Sequence, residues 1–345
     1  MKELFKNIQA SKWKKVYISK KDLKTDLSNE NNDKDPIIIF FNITIKILLF
    51  IFLYLILRVK NNQLPNLKVA LCTMGKQENL YINEFVNHYI KLGVDKIFIY
   101  DDNDPNTEKF NDVITKKERK HVVIYDNIKE YIHNQDEAFT SCYSDHKMDF
   151  DWFIMLDIDE YLIIVNDTLK HYLSNNVFDK CDFIKINWVM PTDNDHLHYE
   201  NKPLLERFKG PYLKSYFIKS IIRGNIPNLT LSFHTPTSSP IRNITCNNEG
   251  TQIFYKELNF RRMKSNANTN KAYIIHFSYK STEEFINRMK RGYSNWLLGK
   301  KFYIFVKAKI KHYFHLNKPT KERVEYIERE LNISLKKIGI KTVEK

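Results

Sequence analysis

The fold is decided by the stretch Trp152-Phe-Ile-Met-Leu-Asp157-Ile-Asp159-Glu160-Tyr-Leu162, in which an apolar run ends in a cluster of acids. Its composition predicts a buried strand over 152–162 that carries the acids toward its carboxyl end. Side chains alternate between the two faces of a strand, so Asp157 and Asp159 are expected on the same side. Two such carboxylates can share one hard cation, Mn²⁺ or Mg²⁺, with a phosphate group. The alternative is a solvated strand end.

Strands and helices alternate ahead of this motif. Strands are predicted at 68–74, 96–102 and 121–126, and helices at 80–92 and 135–148. Further strands are predicted at 182–190, 214–222 and 272–278, with helices from Ser281 onward. This order is typical of an α/β fold with a Rossmann-like, mainly parallel sheet flanked by helices. Ligands of such sheets bind outside the carboxyl ends of the strands.

Two more polar segments follow predicted strands at the same edge of the sheet. Glu78 comes after the first strand, and Asp101 and Asp102 end the second. An acid in the second position can accept hydrogen bonds from the base or ribose of a nucleotide. Turn chemistry is the alternative explanation for the acidic run that continues to Asp104.

The N-terminal part of the chain divides by composition. Residues 1–35 are rich in Lys, Asn and Asp and predict a mobile polar tail. Residues 36–58 form an apolar stretch of about membrane-spanning length, which predicts a single-pass transmembrane helix despite Lys46 near its middle. The alternative is an interfacial or core-packed helix. Residues 59–66 would form a stem, and the main domain is predicted at 67–299.

The C-terminal region, 300–345, is predicted to be helical and basic. Between Phe285 and Lys321 there are ten Lys or Arg residues and no acid. Apolar residues follow helical spacing within this stretch, which predicts an amphipathic helix. Such a helix either lies on an anionic membrane or packs on the core with its lysines in water, and we favour packing on the core.

The charge of the chain points to anionic partners. Lys and Arg number 55 against 41 Asp and Glu, a formal net charge of +14. Nucleic acid, a membrane surface and a phosphorylated substrate all fit this balance. Residues 1–60 contain 12 of the basic and 6 of the acidic residues, so an excess of 6 lies outside the predicted domain. No nucleic-acid-binding motif is evident, and nucleic acid is not an expected partner.

The four cysteines are widely spaced and include no Cys-x-x-Cys pair. They are Cys72, Cys142, Cys181 and Cys246. This spacing disfavours a zinc site or a thioredoxin-like motif. The redox compartment stays open, because the four residues can pair in three ways in a secretory lumen or remain buried thiols.

The ordered series of motifs across residues 67–295 resembles the GT-A glycosyltransferases of family 92 and related family-2-like enzymes. The matching segments are Glu78, Glu84, His88-Tyr89, Leu92-Gly93-Val94, Ile97 to Asp102, Leu156 to Leu162, Ile186-Asn187-Trp188, Leu205 to Phe208, Lys219 to Ile222, His234, His276 to Ser281 and Arg291-Gly292. The resemblance implies a GT-A catalytic domain. The sequence departs from the family pattern at Phe277, since these enzymes usually have His-Tyr where this chain has His276-Phe277.

The resemblance also implies roles for individual residues. Asp157, Asp159 and His276 would bind the metal ion, Mn²⁺ or Mg²⁺. The nucleotide-sugar donor would contact Glu78, Asp101, Asp102, Asp157 and Lys280. Apart from the resemblance, Lys290 or Arg291 of the basic stretch after Phe285 is a candidate to approach its diphosphate. Without the resemblance, His234 and His276 are interpreted as ordinary buried histidines.

For the acceptor side, the resemblance implies inversion at the anomeric carbon, which requires a base to deprotonate the attacking hydroxyl. Asp193 is the leading candidate and Glu206 the second. The alternative for Glu206 and Arg207 is an ion pair that supports the fold.

The sequence therefore predicts a membrane-associated, metal-dependent glycosyltransferase that moves a sugar from a nucleotide sugar, with a UDP-sugar favoured, to a glycan or polysaccharide. The compartment is open, and would be the Golgi or endoplasmic reticulum lumen in a eukaryote. One alternative is a membrane-tethered protein that binds sugar nucleotides or glycans without turnover. Another is a haloacid-dehalogenase-like phosphatase. Tyr161 opposes this second alternative, because that family has Thr or Val two residues after its second Asp.

Overall fold

The computed structural model describes residues 66–232, 234–238, 243–254, 258–259, 262–263, 268–291 and 300–343, with four residues between 45 and 49. The strands are β1 (Val69–Gly75), β2 (Lys96–Asp101), β3 (Val122–Tyr125), β4 (Trp152–Met155), β5 (Glu160–Ile164), β6 (Phe183–Pro191), β7 (Tyr212–Arg223), β8 (Thr230–Leu231), β9 (Pro236–Ser238), β10 (Thr245–Asn247), β11 (Leu258–Asn259), β12 (Arg262–Met263) and β13 (Ala272–His276). The helices are α1 (Asn79–Leu92), α2 (Phe110–Val113), α3 (Gln135–His146), α4 (Leu169–Leu173), α5 (Leu204–Arg207), α6 (Thr282–Arg291), α7 (Lys300–Leu316) and α8 (Lys321–Leu331).

The main sheet is mixed, with strand order β3-β2-β1-β4-β7-β6-β13-β5. Strands β1 to β4 run parallel to one another, as the β-α-β rhythm of the sequence predicts. Strand β7 is antiparallel to both β4 and β6, and β13 is parallel to β6 but antiparallel to β5. The α/β class is thus confirmed; β3, β2, β1 and β4 form a wholly parallel half of the sheet, and the other half is mixed.

Strand β1 is buried on both faces, which explains its continuous apolar sequence. Val69 and Leu71 face one core, where α1 packs. Ala70 and Cys72 face the second core, which α3 covers. Helix α1 ends at Gly93, whose φ of 104° is left-handed and turns the chain back toward β2. The two helices hold β1 in the centre of the sheet.

The prediction of one continuous strand over 152–162 is wrong. Strand β4 ends at Met155, residues 156–159 form a turn, and β5 begins at Glu160. The backbone N–H of Glu160 donates to the carbonyl of Asp157 at 3.1 Å and closes this turn. The turn carries the chain from β4 to the far edge of the sheet, where β5 pairs with β13. Asp157 and Asp159 therefore lie in a turn, and strand alternation does not set their directions.

All four cysteines form disulfides. Cys72 on β1 is bonded to Cys142 on α3, and Cys181, before β6, is bonded to Cys246 on β10. Both bonds fasten outer elements to the sheet. This pairing replaces the alternative of four buried thiols.

The C-terminal helices α7 and α8 pack on α6. Ile310 and Tyr313 of α7 are fully buried with Phe285 of α6, and Ile327 of α8 joins the same cluster. This burial agrees with the favoured interpretation of the amphipathic helix, in which it packs on the core.

The predicted tail, nearly all of the predicted transmembrane helix at 36–58 and the stem up to residue 65 lie outside the described residues. Within the part that is described, no helix combines the length and hydropathy needed to cross a membrane.

Candidate functional site

The candidate site lies where the parallel strands end. Gly75 at the end of β1 is in register with Asp101 at the end of β2, and Cys72 of β1 is in register with Met155 of β4. The three strands are parallel, so the segments that follow them share one edge of the sheet. The acidic turn, defined as residues 157–160, follows β4 at this edge.

Asp157 shares a buried lysine with Glu160. Nζ of Lys219, from β7, lies 3.0 Å from Oδ1 of Asp157 and 3.3 Å from Oε2 of Glu160. Gln135, the first residue of α3, also donates to Oδ1 of Asp157. Oε2 of Glu160 accepts a hydrogen bond from the backbone N–H of Asp157 at 2.9 Å. These contacts fix both ends of the acidic turn before any substrate binds.

Burial and charge set the protonation of this cluster. Burial lowers the pKa of Lys219, but Asp157 and Glu160 outweigh it and raise that pKa above its ordinary value. Burial, followed by the charge of Asp157, raises the pKa of Glu160 well above its ordinary value. These shifts of pKa favour the charged form of Lys219 and the protonated form of Glu160.

Asp159 points to a different set of cations. Its Oδ1 lies 3.5 Å from Nε2 of His276, at the end of β13, and its Oδ2 accepts from Nη1 of Arg288 on α6 at 2.9 Å. Burial alone would raise the pKa of Asp159, but His276 and Arg288 hold it well below its ordinary value. Asp159 is thus a buried, ionised carboxylate beside an imidazole.

The donor set at this turn suits a divalent metal ion in kind. Carboxylate oxygens are the ligands that hard cations prefer, and imidazole is a common metal ligand. His276 is buried; among the described residues its Nδ1 has no hydrogen-bond partner, and its Nε2 has the contact with Asp159 at 3.5 Å. However, the described chain contains no assembled group of three His, Cys, Asp or Glu residues that could hold an ion. Asp157 would have to leave Lys219 to join Asp159 and His276 around one ion.

Glu78 and Lys280 contact each other, although they are far apart in sequence. Nζ of Lys280 lies 2.9 Å from Oε2 of Glu78, and Nη1 of Arg291 lies 3.2 Å from Oε1. The lysine also lies 4.0 Å above the ring of Tyr81. Glu78 and Lys280, both predicted to bind the donor, are thus brought together, but in this structure they bind each other. Arg291 reaches this edge of the sheet, whereas Lys290 pairs with the surface residue Glu330.

Asp101 has a structural role in this arrangement. Its Oδ1 accepts from the N–H of Asn103 and its Oδ2 from the N–H of Phe110, each at 2.8 Å, and the residue is buried. Turn chemistry, the alternative considered for this acidic run, accounts for these bonds. Asp102 is more open and lies 3.8 Å from Nζ of Lys129. Of the two acids, Asp102 is the one that a ligand can reach.

Asp193 is buried against the C-terminal helices. Nη2 of Arg323 lies 2.9 Å from its Oδ2, and the hydroxyl of Tyr313 donates to the same oxygen at 2.6 Å. Burial raises the pKa of Asp193, while Arg323 opposes this shift. A carboxylate enclosed in this way joins α7 and α8 to the main domain, and it is not open to an acceptor hydroxyl.

Glu206 and Arg207, although adjacent in sequence, lie in different surroundings. Glu206 is exposed, whereas Arg207 is buried and pairs with Glu284 of α6 at 2.8 Å. The ion pair considered as the alternative exists, but its acid is Glu284. Glu206 therefore remains the accessible candidate base.

Two cations of the site, Lys219 and Arg288, are not among the site residues predicted from the sequence. Lys219 lies within the apolar run Ile218-Lys-Ser-Ile-Ile222, where a buried lysine requires a partner. Arg288 follows Phe285 by three residues on α6, which places it next to the core-facing side of that helix. Both signals were present but did not reveal which acid each cation would meet.

The departure from the family pattern at Phe277 fits its surroundings. Phe277 is fully buried and packs edge-on against Tyr161, with ring centroids 5.3 Å apart. A phenylalanine needs no hydrogen-bond partner there, so the substitution does not disturb the adjacent His276.

With this geometry in place, comparison with known proteins identifies the family. The chain belongs to glycosyltransferase family 92, whose family model matches residues 66–304. This match confirms the predicted resemblance, and the glycosyltransferase class replaces the phosphatase alternative.

Individual relatives are distant. A glycosyltransferase family 92 protein of rice, Oryza sativa subsp. japonica, is 24% identical over 108 residues, which is 31% of this chain and 18% of the rice protein. The chain thus spans less than a fifth of the length of that curated relative.

Two solved structures show slight similarity. Mannosyl-3-phosphoglycerate synthase from Rubrobacter xylanophilus has 12% identity and a TM-score of 0.27, and a mycobacterial protein has 13% and 0.29. Each comparison covers 46% of this chain and 54% of the other.

Proposed function

We propose that this chain transfers a sugar from a nucleotide-sugar donor, with a UDP-sugar as the first candidate, to a glycan or polysaccharide. The transfer would depend on Mn²⁺ or Mg²⁺ and invert the anomeric carbon. One observation carries the proposal: Asp157 and Asp159 lie in a turn at the carboxyl edge of the parallel strands, and the carboxylate of Asp159 lies next to His276. Membership of glycosyltransferase family 92 supports it.

On the donor side, Asp157, Asp159 and His276 would hold the metal ion. When bound, such an ion neutralises the charge that develops on the departing nucleoside diphosphate. Lys219 and Arg288 each contact one of these carboxylates at 2.9–3.0 Å. They hold the acidic turn in place, and with an ion bound to these carboxylates they would be available to phosphate oxygens. Preorganised cations of this kind stabilise leaving-group charge without further reorganisation.

On the acceptor side, a base must remove the proton of the attacking hydroxyl. Glu206 is exposed, and Asp193 is enclosed by Arg323 and Tyr313. We therefore assign the base to Glu206 in preference to Asp193.

We further propose that the domain matures in an oxidising compartment at a membrane. The support is the pair of disulfides, Cys72–Cys142 and Cys181–Cys246, since such bonds persist in secretory lumens and outside cells. The apolar stretch 36–58 would supply the anchor, as its length predicts.

The test is a donor panel with the full chain in detergent. UDP-glucose, UDP-galactose, UDP-N-acetylglucosamine and GDP-mannose are incubated with Mn²⁺, Mg²⁺ or EDTA and a mixture of oligosaccharides, and released nucleotide is measured. Release from one donor that requires the metal, with NMR showing an inverted anomeric configuration in the product, supports the proposal. Metal-dependent binding of a donor without any release favours the non-enzymatic binding protein instead.

A further inference from the structure

A β-bulge lies between β6 and β7, next to the metal-binding residues proposed above. Asn187 is paired with Ile218, but Val189 is paired with Lys214, so residues 215–217 lie opposite the single residue Trp188. On its other side, Trp188 is paired with Ile274 of β13, two residues before His276. Bulges redirect side chains and are common beside active sites.

The bulge assembles an aromatic group around Trp188. The rings of Trp188 and Phe217 are stacked, with centroids 5.2 Å apart and an angle of 26° between the planes. The ring of His276 meets Trp188 edge-on, at 4.1 Å between centroids. Since His276 also faces Asp159, the indole lies one side chain away from the acidic turn.

The polar edge of Trp188 has no partner among the residues that the structure describes. Its residue exposure is 8%, yet the indole Nε1 finds no hydrogen-bond acceptor in the described part of the chain. The hydroxyl of Ser278, two residues beyond His276, is likewise buried without a partner among these residues. Buried N–H groups are nearly always satisfied in native proteins, so the unpaired indole N–H requires an acceptor oxygen, from a ligand or a water.

The chemistry of the indole narrows the class of ligand. A metal ion would satisfy His276, but the indole N–H is only a donor and requires an acceptor oxygen. The neighbouring ring of Phe217 presents an apolar surface. A pyranose combines both properties, because its hydroxyls accept hydrogen bonds and its C–H groups form an apolar face.

We propose that Trp188 and Phe217 form a sugar-binding platform, in which a neutral hexopyranose packs on the half-buried ring of Phe217 and accepts a hydrogen bond from Nε1 of Trp188. This inference rests on the proposed function and adds the residues that select the sugar. The pyranose is either that of the donor or that of the acceptor, and both present the same chemistry to the platform.

The test compares Trp188→Phe, which keeps a ring but deletes the N–H, with Phe217→Leu, which removes the stacking partner. Trp152→Phe is the matched control, since Trp152 is fully buried and stacks on Arg223 rather than near the acidic turn. Affinities of the full chain with Mn²⁺ are measured by titration calorimetry for UDP, GDP and the four donors. Affinities for the methyl glycosides of glucose, galactose and mannose are measured by saturation-transfer NMR.

The expected result is that both platform variants weaken sugar binding about tenfold, whereas affinity for the nucleotide alone and the behaviour of the control stay unchanged. A loss confined to the nucleotide sugar assigns the platform to the donor, and a loss for a methyl glycoside assigns it to the acceptor. Unchanged sugar affinity in both variants, or an equal loss for the nucleotide alone, overturns the inference. If the wild type binds a methyl glycoside through Trp188 but no nucleotide sugar, the proposed function fails and the platform stands. Binding of neither overturns both.

Discussion

Nζ of Lys219 lies 3.0 Å from Oδ1 of Asp157, and the side chain of this lysine is 1% exposed. The same ammonium reaches Glu160 at 3.3 Å, so one buried cation holds both ends of the acidic turn. The turn interrupts what would otherwise be a continuous apolar strand. Lys219 therefore connects the stability of the turn to the placement of the proposed metal ligands.

Removal of this lysine should destabilise the protein more than removal of a surface lysine. We expect Lys219→Met to lower the free energy of unfolding by about 3 kcal/mol, because Asp157 and the buried Glu160 then lose the cation that they share. The control is Lys129→Met, which breaks the exposed pair with Asp104 and should cost less than about 1 kcal/mol. Urea titrations measure both values. Equal effects of the two substitutions would refute a special role for Lys219.

Lys185 should make stability depend on pH. Burial lowers the pKa of Lys185 to about 7, and its ammonium donates to the hydroxyl of Ser220 at 2.8 Å. Between pH 7 and the ordinary lysine pKa near 10.4, the unfolded chain binds more protons than the folded one. This group therefore makes the free energy of unfolding rise with pH across that window, by up to about 1.4 kcal/mol per unit.

The Lys185→Met variant isolates this contribution. It should be more stable than the wild type at pH 7, and the difference should shrink as the pH approaches 10. Lys117→Met, at an exposed lysine, is the matched control and should give no such trend. Thermal unfolding at a series of pH values measures the difference, and a constant difference across the series would count against a lowered pKa at Lys185.

The disulfides should each contribute measurably to stability. We expect the double variants Cys72→Ala/Cys142→Ala and Cys181→Ala/Cys246→Ala each to lose about 2–4 kcal/mol, since each bond restricts a long loop of the unfolded chain. Mass spectrometry without reduction should find no free thiol in the protein from its natural source. Four alkylatable cysteines in that material would contradict both the pairing and the proposed compartment.

Asp193 and Glu206 should respond differently to loss of charge. Glu206→Gln should lower kcat by about 100-fold or more at unchanged stability, as expected when an exposed general base is removed. Asp193→Asn should instead cost about 3 kcal/mol of stability, because Arg323 is then buried without its carboxylate. Steady-state rates and urea titrations on both variants decide the assignment. A stable Asp193→Asn protein without activity would transfer the role of base to Asp193.

Much of the fold could be predicted because buried parallel strands have continuous apolar sequences. Strand β2, Lys96–Asp101, differs from its prediction by one residue, and β1 is also closely matched. The turn at 156–159 could not be predicted, since apolar residues flank it on both sides. Its existence depends on the pairing of Glu160 with His276, a contact between residues far apart in sequence.

The site was only partly predictable for a related reason. The motif Asp157-x-Asp159 is visible as a local pattern, and family resemblance adds His276. The partners of these acids, Lys219 and Arg288, come from β7 and α6. These elements are distant in sequence from the motif, so the sequence does not show which acid each cation would meet. Asp101 was predicted to contact the nucleotide. Its side chain instead accepts hydrogen bonds from backbone amides, and side-chain type alone does not reveal such bonds.

The most direct test of the central claim is the dependence of nucleotide release on Mn²⁺ concentration in the wild type, Asp157→Asn and Asp159→Asn. We expect release by the wild type to stop in EDTA and to return with added Mn²⁺. Each variant should keep its fold, judged by circular dichroism, but lose at least about 100-fold in rate. Turnover by the wild type in EDTA, or a wild-type rate in Asp159→Asn, would contradict the claim that the acidic turn carries a metal-dependent sugar transfer.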